Sequence, residues 1–361
     1  MKLLVLAQTP PPLHGQSVMV QTLVDGLPAH GIAVHHVNLG LSREAADIGR
    51  WRIGKIFTVF GAGLRAIAAR FRHSCDTLYY IPAPGKRGAL YRDWMVMLLC
   101  RPFFPRLVLH WHAAGLGEWL ASEASAPERW LTRWLLGRAD LALVLAAELQ
   151  TDAEYLAAKK IAIAPNGIAD PGPAEPRAAS AGCRVLFLGL CSEEKGAFVA
   201  ANAVLAANRK APRAFTFTAA GPFPDAATET RLRELCASHP EILRCLGPVH
   251  GAEKTRLFQA SDVFCLPTRY PAEGQPLVLL EAMAHDLPVI ATRWRGIPAL
   301  LPPESTLVEP GDMDALAAAL LHARDRAPAA GVFRRHFLAH FTVEQHLGQL
   351  AAALRDGESQ S

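Results

Sequence analysis

The feature that most constrains this chain is a strand–turn–helix pattern that occurs once at the start and again past the midpoint. The apolar run Leu3-Leu4-Val5-Leu6-Ala7 leads into Pro10-Pro11-Pro12-Leu13-His14-Gly15, and then into a helix expected over residues 16–27. In the second half, a strand expected over 184–188 leads into Gly189-Leu190-Cys191-Ser192-Glu193-Glu194-Lys195-Gly196 and a helix over 197–208. Further short strands are expected at 77–81, 107–111, 141–145, 214–219, 263–266 and 288–291. Short apolar strands that alternate with helices predict parallel sheets covered on both faces. The expected class is α/β, with two doubly wound Rossmann-like domains. In such domains ligands sit beyond the carboxyl ends of the strands, so two of them facing each other make a central cleft.

A stretch of Pro, Gly and Ala over residues 169–182 has neither helical nor strand period and reads as a linker. It divides an N-terminal domain, 1–168, from a C-terminal one, 183–339. The 361 residues suit two domains, and 51% hydrophobic against 19% charged residues excludes general disorder. Seven cysteines without CxxC spacing argue against a disulfide scaffold or zinc ribbon and favour a reducing compartment, so a cytoplasmic location is expected. The net charge of +4 does not mark a nucleic-acid binder. The charge is uneven, however: residues 1–173 hold 18 Lys and Arg against 13 Asp and Glu, and the remainder 19 against 20. The first half is the one suited to meet an anionic partner. Its longest apolar run, residues 94–100, is far short of a membrane span.

Within residues 51–73, Ile56, Phe57, Phe60, Leu64, Ile67 and Phe71 recur at three- and four-residue steps, flanked by Arg50, Arg52, Lys55, Arg65, Arg70 and Arg72. This predicts an amphipathic helix. Either its apolar face packs on the sheet as in an ordinary surface helix, or it meets an anionic membrane surface or lipid-linked substrate peripherally.

The most informative chemistry lies between Pro267 and Ala284. A strand ends near Leu266, a loop carries Glu273 and Gly274, and a helix begins near Pro276, where proline suits a first turn. Backbone N–H groups of that turn, around Leu277, Val278 and Leu279, form an anion site. Glu281 follows about one turn on, within reach of a ribose, and Glu273 can accept hydrogen bonds from a second polyol. Diphosphate on the amides, ribose on one carboxylate and sugar on the other describe a nucleotide-sugar.

This segment, with Glu273-Gly274 before the helix and Glu281-Ala282-Met283-Ala284 in it, resembles the donor-site motif of family 4 glycosyltransferases of GT-B fold. Gly247-Pro248-Val249, Lys254 and Ala260-Ser261-Asp262-Val263-Phe264 resemble the family's base-holding segment. Residues 287–292, Gly296-Ile297-Pro298 and 308–312 resemble the following strand, glycine loop and turn. Pro165-Asn166-Gly167 resembles the inter-domain motif, and residues from 341 onward resemble a C-terminal helix that crosses back to the first domain, over about 340–361.

The resemblance implies a retaining, metal-independent transferase of hexosyl type. It assigns Lys195 and Gly196 to the donor diphosphate, Glu281 to the ribose, Glu273 to the donor sugar, and Gly15 to the close approach of the first-half turn to the phosphates. Gly15 reads equally as a plain turn glycine. His112, at the end of His110-Trp111-His112, is implied near the reacting sugar and acceptor, or else is a strand-end residue bonded to backbone; His14 has a similar place. Leu190 departs from the family pattern, in which an arginine shares the diphosphate, and Arg269, Arg293 and Arg295 are candidate substitutes. A second departure is Ala299, where an acid is common. Asp312-Met313-Asp314 spells a metal-binding DxD, but helix capping accounts for it. Cys191 and Cys265 read as apolar fillers.

The expected function is sugar transfer from a UDP- or GDP-sugar to a saccharide or lipid-linked acceptor in cell-surface polysaccharide or glycolipid synthesis. No cofactor, metal or nucleic acid is expected. Alternatives on the same architecture are a sugar-nucleotide epimerase, a phosphorylase-like enzyme, and a non-catalytic nucleotide-sugar-binding scaffold.

Overall fold

The computed structural model describes residues 1–40, 53–173, 182–325 and 329–357. Most of the expected linker, and Arg50 and Arg52, lie outside the described residues. The chain forms two units. The first comprises Met1–Gly167, Ala272–Gln275 and Val343–Ser361; the second comprises Ile168–Pro271 and Pro276–Thr342.

The strands of the first unit are β1 (Lys2–Ala7), β2 (Ala33–Asn38), β3 (Thr77–Tyr80), β4 (Arg106–Trp111), β5 (Leu141–Val144) and β6 (Ile161–Ile163). Its helices are α1 (Gly15–Gly26), α2 (Ile53–His73), α3 (Arg87–Cys100), α4 (Leu116–Ser122), α5 (Ala126–Leu136) and α6 (Thr151–Tyr155). All the strand pairs are parallel, in the order β2-β1-β3-β4-β5-β6. Side chains alternate across a strand, so β1 feeds two cores. Leu4 and Leu6 join Val59, Ala62, Leu90, Met97 and Leu136 beneath α2, α3 and α5. Leu3, Val5 and Ala7 join Val20 and Leu23 of α1 on the opposite face.

The second unit repeats the plan with β7 (Cys183–Leu188), β8 (Phe215–Ala220), β9 (Leu243–Gly247), β10 (Val263–Leu266), β11 (Val289–Thr292) and β12 (Thr306–Val308). Its helices are α7 (Ala197–Lys210), α8 (Ala226–Ala237), α9 (Gly251–Gln259), α10 (Leu277–Ala284), α11 (Ile297–Leu300), α12 (Met313–Asp325) and α13 (Val332–His340). Its sheet is also parallel, in the order β12-β11-β10-β7-β8-β9. The chain reverses direction across the sheet between β7 and β10. There the Arg184 guanidinium donates to both oxygens of Asp262, at 2.9 and 2.8 Å, and the Arg184 N–H donates to the same carboxylate at 2.8 Å.

The last helix, α14 (Val343–Asp356), belongs to the first unit. Leu347, Leu350, Ala351 and Leu354 complete the core on the α1 face.

One expectation is overturned. The apolar stripe of α2 does not pack on the sheet: Val59, Ala62 and Ala66 are buried, whereas Phe57, Phe60, Leu64 and Phe71 are exposed. Small residues let the helix lie close to its neighbours, as Gly63 does against Leu99. The large aromatic residues are left on the outer side.

Candidate functional site

In a doubly wound sheet the loops that leave the switch-point strands diverge and open a crevice. In the second unit those are the loops after β7 and β10. Gly196 ends the first of them with φ +85°, and a Cβ there would lie 2.3 Å from the Pro267 carbonyl oxygen, so only glycine lets the two loops meet. The Arg269 N–H donates to the Glu194 carbonyl at 2.7 Å. The Lys195 Nζ sits 4.8 Å from the centre of the Tyr270 ring, which fixes an ammonium beside the loop.

Helix α10 starts at the same edge. Pro276 is its cap rather than part of its first turn, and the Leu279 N–H donates to the Pro276 carbonyl at 3.1 Å. This corrects the expected anion site: Leu277 and Val278 are left to supply its donors, and Leu279 is not. One turn on, Glu281 Oε1 accepts from Lys254 Nζ at 2.6 Å, while Oε2 is buried with no hydrogen-bond partner among the described residues. Burial raises the Glu281 pKa, and Lys254 opposes that rise. The carboxylate is therefore held by one oxygen and offers the other. Val249, near Lys254 in sequence, is buried.

Of the proposed substitutes for the arginine missing at Leu190, Arg293 is engaged by Glu309 at 3.3 Å, and Arg295 stacks on Trp294. Arg269 is exposed and tied by its backbone next to Lys195. Asp312 accepts from the Ala315 N–H at 2.8 Å and caps α12.

The remaining singled-out residues lie in the first unit. His14 caps α1: its Nδ1 accepts from the Ser17 N–H at 3.3 Å, and the Ser17 hydroxyl accepts from the His14 N–H. Gly15 opens that helix. His112 follows β4, with its ring 4.1 Å from that of His110. Burial, followed by the neighbouring His346 and His14, pushes the His112 pKa down to about 3, and its Nε2 has no partner among the described residues. Hydrogen bonding to the backbone therefore does not account for that nitrogen.

His346, on α14, donates from Nδ1 to the Pro165 carbonyl at 2.6 Å. A carbonyl only accepts, so the unpartnered His346 Nε2 carries a lone pair. The Tyr79 hydroxyl bonds His110 Nδ1. Burial holds His110, His112 and His346 neutral.

The segment Ala272–Gln275, expected in the C-terminal domain, packs in the first unit instead. The Asn166 N–H donates to Gln275 Oε1 at 2.6 Å, and a Cβ on Gly274 would lie 2.3 Å from the His112 carbonyl oxygen. Glu273 is buried. The structure thus gathers His14, His112 and Gly274 in the first unit, and Lys195, Gly196, Lys254 and Glu281 in the second. The roles of His346, Tyr270 and Gln275 carried no sequence signal, because their partners are remote or not periodic with them. Among the described residues, no group of three or more His, Cys, Asp or Glu is arranged to hold a metal.

Two parallel six-stranded Rossmann-like sheets define the GT-B class of fold. The whole chain superposes on sucrose-phosphate synthase from Thermosynechococcus elongatus with a TM-score of 0.76 at 18% identity, covering 100% of both chains. It superposes on HepE from Anabaena, solved in complex with UDP, with a TM-score of 0.68 at 18% identity, covering 99% of this chain and 100% of that one. More particularly, residues 182–325, which include all six strands of the second sheet, match the family "Glycosyl transferases group 1". A GDP-mannose-dependent monoacylated alpha-(1-6)-phosphatidylinositol monomannoside mannosyltransferase of Corynebacterium glutamicum is 31% identical over 126 residues, 32% of this chain and 33% of that protein. The chain spans between 16% and 35% of the lengths of the curated relatives it matches.

Proposed function

We propose that this protein is a retaining, metal-independent glycosyltransferase. It takes a sugar from a UDP- or GDP-sugar and passes it to a saccharide or lipid-linked acceptor. The observation that carries this reading is Glu281, anchored by Lys254 through one oxygen and presenting a buried, unpartnered second oxygen one turn into a helix whose first amides are free to bind an anion. A ribose diol satisfies that oxygen, and the diphosphate takes the Leu277 and Val278 amides together with Lys195. A group 1 sequence match over the same segment, a GDP-mannose-dependent relative and a UDP-bound structural neighbour support the donor class.

Chemistry then follows from electrostatics. As the anomeric bond breaks, charge builds on the leaving diphosphate, where Lys195 and fixed amide dipoles stabilise it without reorganising. Arg269, tethered to Glu194, supplies the second cation in place of the arginine missing at position 190. Glu273 holds the sugar hydroxyls. His112, neutral and with an open Nε2, bonds the reacting sugar rather than acting as an imidazolium. The acceptor attacks from the face the leaving group departs, and the leaving phosphate takes its proton. Trapping of a glycosyl adduct on Glu273 would overturn that step.

The test is calorimetric titration against UDP-, GDP-, ADP- and dTDP-sugars in EDTA, beside Glu281→Ala and Lys195→Ala. One nucleotide class should bind, and both variants should lose it. Binding that survives both substitutions sinks the assignment.

A further inference from the structure

The outer side of the first unit holds a surface that the donor chemistry does not use. Helices α2, α3 and α5 cover one face of the first sheet through a shared core. Their outward sides are unusually apolar. On α2, Phe57, Phe60, Leu64 and Phe71 are between 49% and 73% exposed, at helical spacing along one side. Phe103, just after α3, meets the Phe71 ring edge-on at 6.2 Å and extends the stripe. Leu98 on α3, and Trp130 and Trp134 on α5, are 49%, 67% and 59% exposed, and the two indoles stack in parallel.

The neighbouring rows are tied together. Tyr91 on α3 donates to Glu128 on α5 at 2.8 Å, and Trp94 donates to Thr132 at 3.0 Å. A helical layer that leaves this many aromatic residues in water marks a docking surface.

Charge selects the partner. The residues of α2, α3, Arg101–Phe103 and α5 include nine Lys and Arg and only two carboxylates. Both carboxylates, Asp93 and Glu128, are buried. Arg65, Arg72 and Arg133 are exposed among the aromatic residues. Apolar and indole side chains interleaved with arginine, with no exposed carboxylate on these three helices and the exposed Glu118 and Glu123 confined to α4 and the turn after it, match the interface of an anionic bilayer. There rings settle at headgroup depth and guanidinium groups pair with phosphates. No described helix is long and apolar enough to cross a membrane, so attachment of this kind lies in the interface plane.

We infer that the α2–α3–α5 face docks the protein on an anionic lipid surface, with Phe57, Phe60, Leu64, Phe71, Trp130 and Trp134 entering the headgroup layer. This inference stands apart from the donor reading, because its test uses no nucleotide.

The experiment is flotation with phosphatidylcholine vesicles, with and without about 30% phosphatidylglycerol to supply a negative surface potential, at low and high salt. The wild type should float with the anionic vesicles, weakly with the neutral ones, and less in high salt. Phe57→Ser with Phe71→Ser should cut binding at least about tenfold, as two lost ring insertions require, at an unchanged melting temperature. Arg65→Glu with Arg72→Glu should remove the preference for anionic lipid. Brominated lipid should quench tryptophan fluorescence in the wild type and much less in a Trp130→Phe, Trp134→Phe protein that still floats. Should the Phe57 and Phe71 pair unfold the protein, the tryptophan quenching decides alone. Failure of the wild type to float with any vesicle overturns the inference. Equal flotation of wild type and variants overturns it too, as does a dimer in sedimentation velocity that these substitutions abolish, which would assign the face to a second copy.

Discussion

The two Rossmann-like units are both parallel six-stranded sheets, ordered β2-β1-β3-β4-β5-β6 in one and β9-β8-β7-β10-β11-β12 in the other, and they differ in how they hold polar groups at the ends of their strands. The second unit uses charge: Lys254 grips Glu281, and Lys195 rests on Tyr270. The first uses neutral rings, His110, His112 and His346, whose burial keeps protons off. A buried carboxylate needs a cation, since without one it neutralises itself. Imidazole has a neutral form near pH 7 and can be packed uncharged. The same architecture therefore yields one polar cluster organised by charge and one organised by neutral rings.

The contrast can be broken most strongly at Glu281. Glu281→Gln should cost about 1.5–3 kcal/mol of donor binding, roughly ten- to a hundredfold in Kd. Lys254→Met should weaken binding through Glu281, so a double-mutant cycle read by calorimetry should show strong non-additivity. Independent effects would separate the pair.

Next is Gly274→Ala. Its Cβ would press on a backbone oxygen that has nowhere to move. A loss of roughly 1–3 kcal/mol of stability is expected from such overpacking, measured by urea unfolding. An unchanged midpoint would mean that the segment does not pack against His112.

Acid sharpens the comparison. His112 has a folded pKa of about 3, below the ordinary histidine value of 6.5. Between those values the unfolded chain binds a proton that the folded one refuses, so stability falls as pH drops from 6.5 toward 3. His110 and His346, shifted the same way, add to that slope. His112→Asn should flatten it by up to one proton in unfolding curves taken across pH 4.5–7. An identical slope in the variant would place the titration elsewhere.

The smallest effect is expected at Arg269→Ala. The side chain is exposed, so the loss in donor affinity should stay at or below about 1 kcal/mol and shrink in salt. Arg293→Ala, whose side chain is already engaged by Glu309, should do less.

Much of this was legible in the residues. The alternation of apolar runs and Gly turns announced parallel α/β units, because a strand buried on both faces must be apolar throughout. The stretch around Glu273 and Glu281 announced a loop followed by a helix near Pro276, and α10 begins there, at Leu277. The periodicity of α2 was equally legible as a helix, yet its period did not say which side was buried. Val59, Ala62 and Ala66 took the inner face because small side chains let helix and sheet approach closely, and the phenylalanines were left outside. Capping drew His14 to Ser17, a use that its place in the turn did not reveal.

By itself, then, the sequence determined the fold class and the strand, loop and helix that carry Glu273 and Glu281, since both rest on spacings of a few residues along one element. Only the tertiary structure decided that Lys254 leaves one Glu281 oxygen open, that α14 brings His346 beside His112, and that residues 272–275 pack with the first unit. Those depend on which remote side chains share a desolvated space. Packing sets that; pattern along the chain does not.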